Sequence, residues 1–599
     1  MPNFTNQWPT LRIVNSALGV ALLLCGGCAE RPPREAKVPT TEVEPLSNQK
    51  TNIETASSKT PKKTAAPPMR KAEPGDWFDD VTDSSGVRFT YQSGRSGGMF
   101  TVLESVGGGV AAFDYDRDGD IDLFFTGGGK ISAAPPLVSG LPCALFRNEG
   151  ECKFSDVTAE CGLDDSGDYS HGCTVGDYDR DGFPDLFVTC YGHSRLYHNE
   201  QGRRFRDVTQ QAGLDFDSWS TAAAWVDLDN DGWLDLYVSG YLDWKLDPSE
   251  RCGDLQHGIR DVCPPQRYAA SRERVFHNVG GSSFTDITKD SGLLDSAIGL
   301  GVVAADLNQD GKMDLYVAND VRRNYLYLGT DSGKLRETAI PAGTAFNEFG
   351  APEGSMGVDV GDFDGDGDLD LFVANYQLEF NSLYRNEESD AYSHATVQAG
   401  LAGARTLVKF GTGFADFDSD GWLDLFVTNG HVLYETGVSP YEQPPLLYRN
   451  QEGVFQDVTA AGAPYFTTVH AGRGAAVGDL DNDGALDLVI VHQDKPATLL
   501  RNRKPPQHWL GVQLVGAKSN IDAVGAMATI EYEGRILVRI VRGGGGYLSH
   551  FDSRLVYPLA SEEPASLLVR WPGGRQERFT QLAGNRYHRL VEGEGEPQE

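Results

Sequence analysis

The chain has 599 residues, a formal net charge of −34 and 40% hydrophobic side chains. That length exceeds one small core and leaves room for a large repeat domain and a smaller companion. The charge, with no cluster of Lys and Arg, excludes nucleic acid as a partner, because phosphates demand concentrated positive charge.

At the N-terminus an apolar stretch from Ile13 to Leu24 has the length of a signal h-region and is too short to span a bilayer. It ends at Cys25-Gly26-Gly27-Cys28, where small residues ahead of a cysteine resemble a bacterial lipoprotein signal with Cys28 as the lipidated first residue. Residues 1–28 are read as that signal, with ordinary cleavage and secretion as the other route. The expected destination is a bacterial cell surface or outer membrane, or else the medium. Residues 29–75 are rich in Pro, Thr, Lys and Glu, cannot bury a core, and read as a disordered tether. Contact with a membrane is expected only through the lipid anchor.

Seven times the pattern Asp-x-Asp/Asn-x-Asp-Gly-x-x-Asp then runs directly into an apolar, β-branched segment. The copies are Asp114, Asp116, Asp118, Asp122; Asp177, Asp179, Asp181, Asp185; Asp227, Asp229, Asp231, Asp235; and Asp306, Asn308, Asp310, Asp314. The last three are Asp362, Asp364, Asp366, Asp370; Asp416, Asp418, Asp420, Asp424; and Asp479, Asp481, Asp483, Asp487. Oxygen ligands at positions 1, 3 and 5, a turn-forming Gly at 6 and a closing Asp at 9 can wrap a hard cation. An EF-hand would need a bidentate Glu at position 12 between helices. Here that position is Phe125, Val188, Val238, Val317, Val373, Val427 or Ile490, inside strand-like runs. The pattern therefore predicts up to seven structural Ca²⁺, each in a loop joining two β-strands. Seven dications would move the formal charge of −34 to about −20, so much of the acidity is a binding inventory.

Each loop belongs to a longer phrase. After the loop and its strand come Leu145-Phe-Arg-Asn148, Leu196-Tyr-His-Asn199, Val275-Phe-His-Asn278, Leu383-Tyr-Arg-Asn386, Leu447-Tyr-Arg-Asn450 and Leu500-Arg-Asn502. A third phrase follows, as in Phe154-Ser-Asp-Val-Thr158 and Phe205-Arg-Asp-Val-Thr209, and then a Gly/Ala-rich segment. Four strands per unit at this spacing predict an all-β, seven-bladed β-propeller over residues 76–506. The last unit lacks its fourth phrase, while an orphan copy, Phe78-Asp-Asp-Val-Thr82, precedes the first loop. An N-terminal strand completing the last blade would hide two sheet edges and lock the ring.

Seven cysteines lie beyond the leader. Cys252 and Cys263 are expected to clasp the long insertion between Asp243 and Arg274, Cys143 and Cys152 could bridge a hairpin, and at least one thiol is left free and buried. Past residue 506, Trp509-Leu-Gly-Val-Gln-Leu514, Ala528-Thr-Ile-Glu-Tyr532 and Leu567-Leu-Val-Arg-Trp571 alternate as strands of a small β-sandwich or barrel. Gly543 to Gly546 mark a turn or a close backbone approach, ahead of a strand at Tyr547-Leu548.

The repeats resemble the FG-GAP/VCBS repeats of integrin-type propellers. Residues 507–591 resemble the ASPIC/UnbV domain of the cartilage acidic protein family and its bacterial relatives, through His508-Trp509-Leu510, Ser519-Asn520, Val524-Gly525-Ala526, Gly544-Gly545-Gly546-Tyr547-Leu548-Ser549 and Val569-Arg570-Trp571-Pro572-Gly573-Gly574. The chain departs from that family at Asn520-Ile521 and Val556-Tyr557-Pro558-Leu559-Ala560. The resemblance implies calcium binding and an extracellular interaction role, with no general enzymatic reaction attached. Residues 592–599 are expected to be a disordered end.

The connections after each second strand lie on the face away from the acidic loops. Asn319, Asn375, Asn429, His431 and His492 stand there as a candidate ligand face, with Tyr191, His193, Tyr241, Asp320 and Tyr376 nearby. The same asparagines could instead satisfy turn backbone through their side chains. His171, His193, His431, His470 and His492 form a catalytic or metal cluster only if they converge. The sequence thus reads as a monomeric, surface-tethered binding or adhesion module for protein or polysaccharide. The alternative is a propeller enzyme, a polysaccharide lyase or hydrolase, working in the central funnel.

Overall fold

The computed structural model describes residues 73–598 except 295, 388–389 and 436–438. The leader with Cys28, and the tether through residue 72, lie outside the described residues. None of the described helices is long and apolar enough to cross a membrane.

The repeated phrases fold as antiparallel four-strand units. In sheet 1 the strands Val110–Phe113, Asp122–Phe125, Ala144–Asn148 and Phe154–Asp156 follow in chain order. Sheets 2 to 6 repeat this order, with first strands Tyr169–Gly176, Asp217–Val226, Gly299–Ala305, Ser355–Gly361 and Lys409–Ala415. Sheet 7 starts at Gly472–Gly478, and its fourth strand is Phe78–Asp80, which pairs with Lys495–Asn502 in the register Phe78↔Asn502. The orphan N-terminal phrase thus closes the last sheet, as the repeat pattern predicts.

First strands sit side by side in sequence order, and the strand of sheet 7 returns to that of sheet 1. The backbone joins directly there: Gly474 donates to Gly108 O at 3.1 Å and Gly109 to His171 O at 2.8 Å. These inner strands are buried on both faces between neighbouring sheets. That is why they read as continuous Ala, Gly and Val rather than alternating. The architecture is a β-propeller.

The asparagine of the second phrase is the staple between units. Asn148 Nδ2 donates to Ile121 O of its own loop and to Leu480 O of sheet 7, at 2.9 and 2.8 Å. Asn199, Asn278, Asn386, Asn450 and Asn502 bridge their own and the preceding unit in the same way. Sheet 4 has Gly329 at this position and makes no such bond.

The tail is a sandwich. One sheet orders Leu555–Pro558, Trp509–Val515 and Tyr587–Val591, and the other Arg535–Ile540, Met527–Tyr532, Ala565–Arg570, Gln576–Leu582 and Glu596–Pro597. Tail residues Leu510, Val524 and Trp571 share one buried apolar cluster with Trp225 and Met313 of the ring, so the domain is packed on the propeller rather than strung from it. The expectation of a disordered end is corrected over residues 592–598. Glu596–Pro597 pairs with Gln576–Leu582, and one Glu592 carboxylate oxygen accepts the N–H groups of Ala517, Lys518 and Ser519 at 2.7–3.0 Å.

Cys252 and Cys263 are disulfide-bonded and clasp the insertion. The proposed Cys143–Cys152 bridge is absent: both are free thiols, as are Cys161, Cys173 and Cys190. Cys152 is buried beside the acidic loop of sheet 7, within 4.8 Å of Asp481 and Asp487 oxygens, so its thiol points away from the hairpin.

Candidate functional site: seven acidic loops and the face opposite

The acidic loops share one hydrogen-bond pattern that follows from their spacing. In the first, Asp114 Oδ1 and Oδ2 accept the N–H groups of Asp118 and Gly119 at 3.1 and 3.0 Å, and Asp118 Oδ1 accepts that of Asp120 at 2.9 Å. Asp122 accepts the N–H of Tyr115 at 3.0 Å and of Asn148 at 2.8 Å. The ninth-position carboxylates Asp185, Asp235, Asp314, Asp370, Asp424 and Asp487 accept the matching second-position N–H in the other loops. Position 4 is left-handed in all seven, at Arg117, Arg180, Asn230, Gln309, Gly365, Ser419 and Asn482. A non-glycine residue there costs roughly 1–2 kcal/mol, which the charge-assisted N–H bonds to the carboxylates offset.

The loops gather carboxylate oxygens closely enough that they could hold a cation. One oxygen each from Asp114, Asp116 and Asp122 lie within 4.8 Å of one another, as do those of Asp177, Asp179 and Asp181. Burial first, and then Asp235 and Asp231, push Asp227 up to about 7, and burial pushes Asp122 up to about 9. Such carboxyls resist ionisation until an opposite charge sits among them. The third-position oxygens Asp116 Oδ1, Asp364 Oδ1, Asp418 Oδ1 and Asp481 Oδ1 are buried with no hydrogen-bond partner. Hard oxygen donors left unsatisfied in this way fit Ca²⁺. Side chains of the second phrase lean on the same carboxylates: Arg449 on Asp418 at 2.6 Å, Arg501 on Asp481 at 2.5 Å, and His198 on Asp179 and Asp185 at 3.2 Å. In four units the Arg or His of that phrase, His277 on Asp235 included, therefore serves the loop, while Arg147 and Arg385 pair with Glu149 and Glu387.

The tail domain covers this face. Arg554 donates to Asp479 O and Asn482 Oδ1 at 2.8 Å, and Tyr587 to Asp479 Oδ2 at 2.7 Å. Arg535 donates to Asp420 O at 2.7 Å, Asp522 accepts the N–H of Asp177 at 2.7 Å, and Arg570 reaches Gln309 and Asp306.

From the tail a glycine-rich loop enters the axis of the ring, which sequence reading sees only as a close backbone approach. Gly543 and Gly544 pair with Ala304 and Val303 of sheet 4. Val358 of sheet 5 donates to Gly546 O, Cys173 of sheet 2 to Leu548 O and Ala112 of sheet 1 to His550 O, at 2.9–3.1 Å. A Cβ on Gly543 would stand 2.0 Å from Trp225 O of sheet 3, so only glycine admits this approach. Tyr547 and Leu548 form a turn here instead of a strand. Arg542 anchors the loop on Asp359 at 2.8 Å.

On the opposite face the asparagines hold their turns. Asn319 Nδ2 donates to Arg323 O, Asn375 Nδ2 to Glu353 Oε2 and Phe380 O, and Asn429 Nδ2 to Pro444 O. His431 bonds Gln377 Oε1 at 2.6 Å, and His492 bonds Tyr465 and Pro496 O at 3.0 and 2.7 Å. Of the five candidate histidines only His470 and His492 meet, stacked with ring centroids 5.0 Å apart. His171 bonds Trp219, and His193 lies exposed near Asp168. Tyr241, Asp320 and Tyr376, by contrast, come together around one cavity.

Six segments, residues 114–188, 177–238, 267–317, 306–373, 362–427 and 416–490, match the FG-GAP-like repeat, and residues 516–597 match ASPIC and UnbV. Cartilage acidic protein 1 of Mus musculus is 22% identical over 499 residues, covering 78% of this chain and 70% of its own length. The Homo sapiens protein is 24% identical over 523 residues, covering 78% and 69%. Among solved structures, an Agrocybe aegerita lectin that recognises non-reducing terminal N-acetylglucosamine aligns with TM-score 0.38 at 14% identity, over 66% of this chain and 94% of its own. The BP39L lectin of Burkholderia pseudomallei aligns with TM-score 0.40 at 9% identity, over 66% and 95%. Scores this low carry no functional inference to this chain.

Proposed function

Because the chain belongs to the FG-GAP-like repeat family and ends in an ASPIC and UnbV domain, we propose that it is an exported binding module whose propeller is held in shape by calcium, one ion in each acidic loop. The observation that carries this reading is the set of buried, partnerless third-position oxygens in four of the seven loops, the other three repeating the same Asp/Asn spacing and ninth-position bonds. In each loop the carboxylates at positions 1, 5 and 9 (Asp114, Asp118 and Asp122 in the first) would hold the ion with the third-position oxygen. Bound there, Ca²⁺ supplies charge and rigidity and no chemistry. Export suits it, since extracellular calcium fills loops of even ~10⁻⁴–10⁻³ M affinity, and Cys28 would tether the module to a surface.

The partner, protein or polysaccharide, is taken on the face away from the loops. Two facts support this: the tail covers the loop face, and the central funnel that an enzymatic site would use is filled by the glycine-rich loop. Chelation tests the calcium reading. Each site filled at a hundredfold excess over its Kd adds about 2.7 kcal/mol to the native state, so removing calcium is expected to lower the Tm by more than about 10 °C. An unchanged melting curve contradicts it.

A further inference from the structure

Where the connections after the second strands of sheets 3, 4 and 5 converge, the ring encloses a cavity of about 240 Å³ on the face away from the acidic loops. Its lining includes Tyr241, Asp320, Tyr376, Glu379 and Phe410, with Tyr547 brought in from the tail loop. The disulfide-clasped insertion adds Cys263 and Pro264 to its wall.

The lining is mostly apolar and aromatic, with Ser105, Gln266 and two acids as its polar side chains. Asp320 is 8% exposed. Its Oδ2 accepts the Tyr241 hydroxyl at 2.8 Å, and its Oδ1 has no hydrogen-bond partner among the described residues. Glu379 spends Oε2 on the N–H groups of Gly354 and Tyr376, at 2.9 and 3.1 Å. Neither carboxylate forms an ion pair among the described residues. Lys409, whose charge favours the Glu379 carboxylate, gives its Nζ to the Tyr376 and Glu379 carbonyls at 3.1 and 3.0 Å. Burial first, eased by the Tyr241 hydroxyl and reinforced by Glu379, pushes Asp320 up to about 7. A buried carboxylate with a free oxygen and no counter-charge is costly to keep, and a cavity with aromatic walls offers a cation both π-faces and apolar contact.

We propose that this cavity binds an alkylammonium group, either a free small amine or the end of a lysine side chain, with Asp320 as its counter-ion. The methylene stem lies against Phe410 and Tyr547, and the ammonium donates to Asp320 Oδ1. A neutral hydroxyl of the same size can donate to Asp320 but brings no counter-charge, and an anion is repelled. The assignment rests on the reading of the protein as a binding module and gives that module's ligand a charge.

The test uses the full calcium-loaded protein and isothermal titration with n-butylamine, Nα-acetyl-lysine methylamide and n-butanol. Both amines are expected to bind at least about tenfold more tightly than butanol, the worth of one charge-assisted bond. If n-butylamine alone binds, the source is a free amine; if the lysine derivative binds too, a protein side chain also fits. Asp320→Asn keeps the shape and the Tyr241 contact and is expected to weaken both amines about tenfold or more, with the melting curve retained. Butanol binding as well as the amines, no amine binding at all, or amine binding unchanged in Asp320→Asn would overturn the proposal. Calcium content is measured on the same sample. Calcium without amine binding overturns only the cavity, and amine binding to a calcium-free ring overturns only the calcium reading.

Discussion

The two faces of the ring are built from the same sheets and differ in almost everything else. The loop face is a strict repeat: one nine-residue motif, one hydrogen-bond pattern, and a tail domain docked over it through Arg535, Arg554 and Tyr587. The opposite face carries connections of unequal length and unlike sequence, including a disulfide-clasped insertion and a cavity with an unpaired carboxylate. Repetition concentrates on the face the tail packs against, and irregularity on the face we propose for a partner. Substitutions on the covered side should therefore cost stability, and those on the open side should cost binding alone.

The largest effect is expected at the plug. Arg542→Ala leaves Asp359, fully buried, without its ion-pair partner and with the Phe414 N–H still donated to it, and should destabilise the protein by about 3–5 kcal/mol in denaturant unfolding. A loss below about 1 kcal/mol would mean that the tail loop only rests on the ring. Next comes the staple that joins sheet 1 to sheet 7: Asn148→Ala strips a donor from two buried carbonyls and should cost roughly 2–4 kcal/mol. Limited proteolysis should then cut first near the closure, and an unchanged digest would break the assignment.

His550 gives a smaller, pH-dependent effect. Burial, and then the charge of Arg542, push its imidazole down to about 4. Because the folded value lies below the unfolded one, near 6.5, this contribution is fully present above pH 6.5 and is lost as the pH falls toward about 4. A neutral His550→Asn variant lacks that dependence. The stability gap between the two proteins should be flat above pH 6.5 and narrow below it, by at most about 1.4 kcal/mol per pH unit. A gap that stays constant down to pH 4 would refute it. The smallest effect belongs to the open face: Asp320→Asn should leave stability within about 1 kcal/mol of the parent, or raise it, since it removes an unpaired buried acid. A large loss would make Asp320 a scaffold residue.

Much of the ring was legible because its information is local. The spacing of Asp114 to Asp122 alone dictates which N–H groups meet which carboxylate, and the orphan phrase at Phe78 announces its missing partner at Asn502. What crosses the axis was not legible. The approach of Gly543 to Ala304 joins residues far apart in sequence, and only its glycines hint at it. Nor does any periodicity show Arg473, fully buried on the inner strand of sheet 7, where it donates to Ser105 O and His431 O. The Cys143–Cys152 pairing failed because chain proximity does not decide which way a thiol points, and here each is taken into a different packed surface. On the open face the asparagines of the regular position keep their turns, while their neighbours Tyr241, Asp320 and Tyr376 make the cavity.

Native mass spectrometry of the intact protein from calcium-containing buffer measures the central claim most directly. The account predicts about seven calcium ions per chain, one for each loop. A chain that emerges metal-free, with its fold intact, would contradict it.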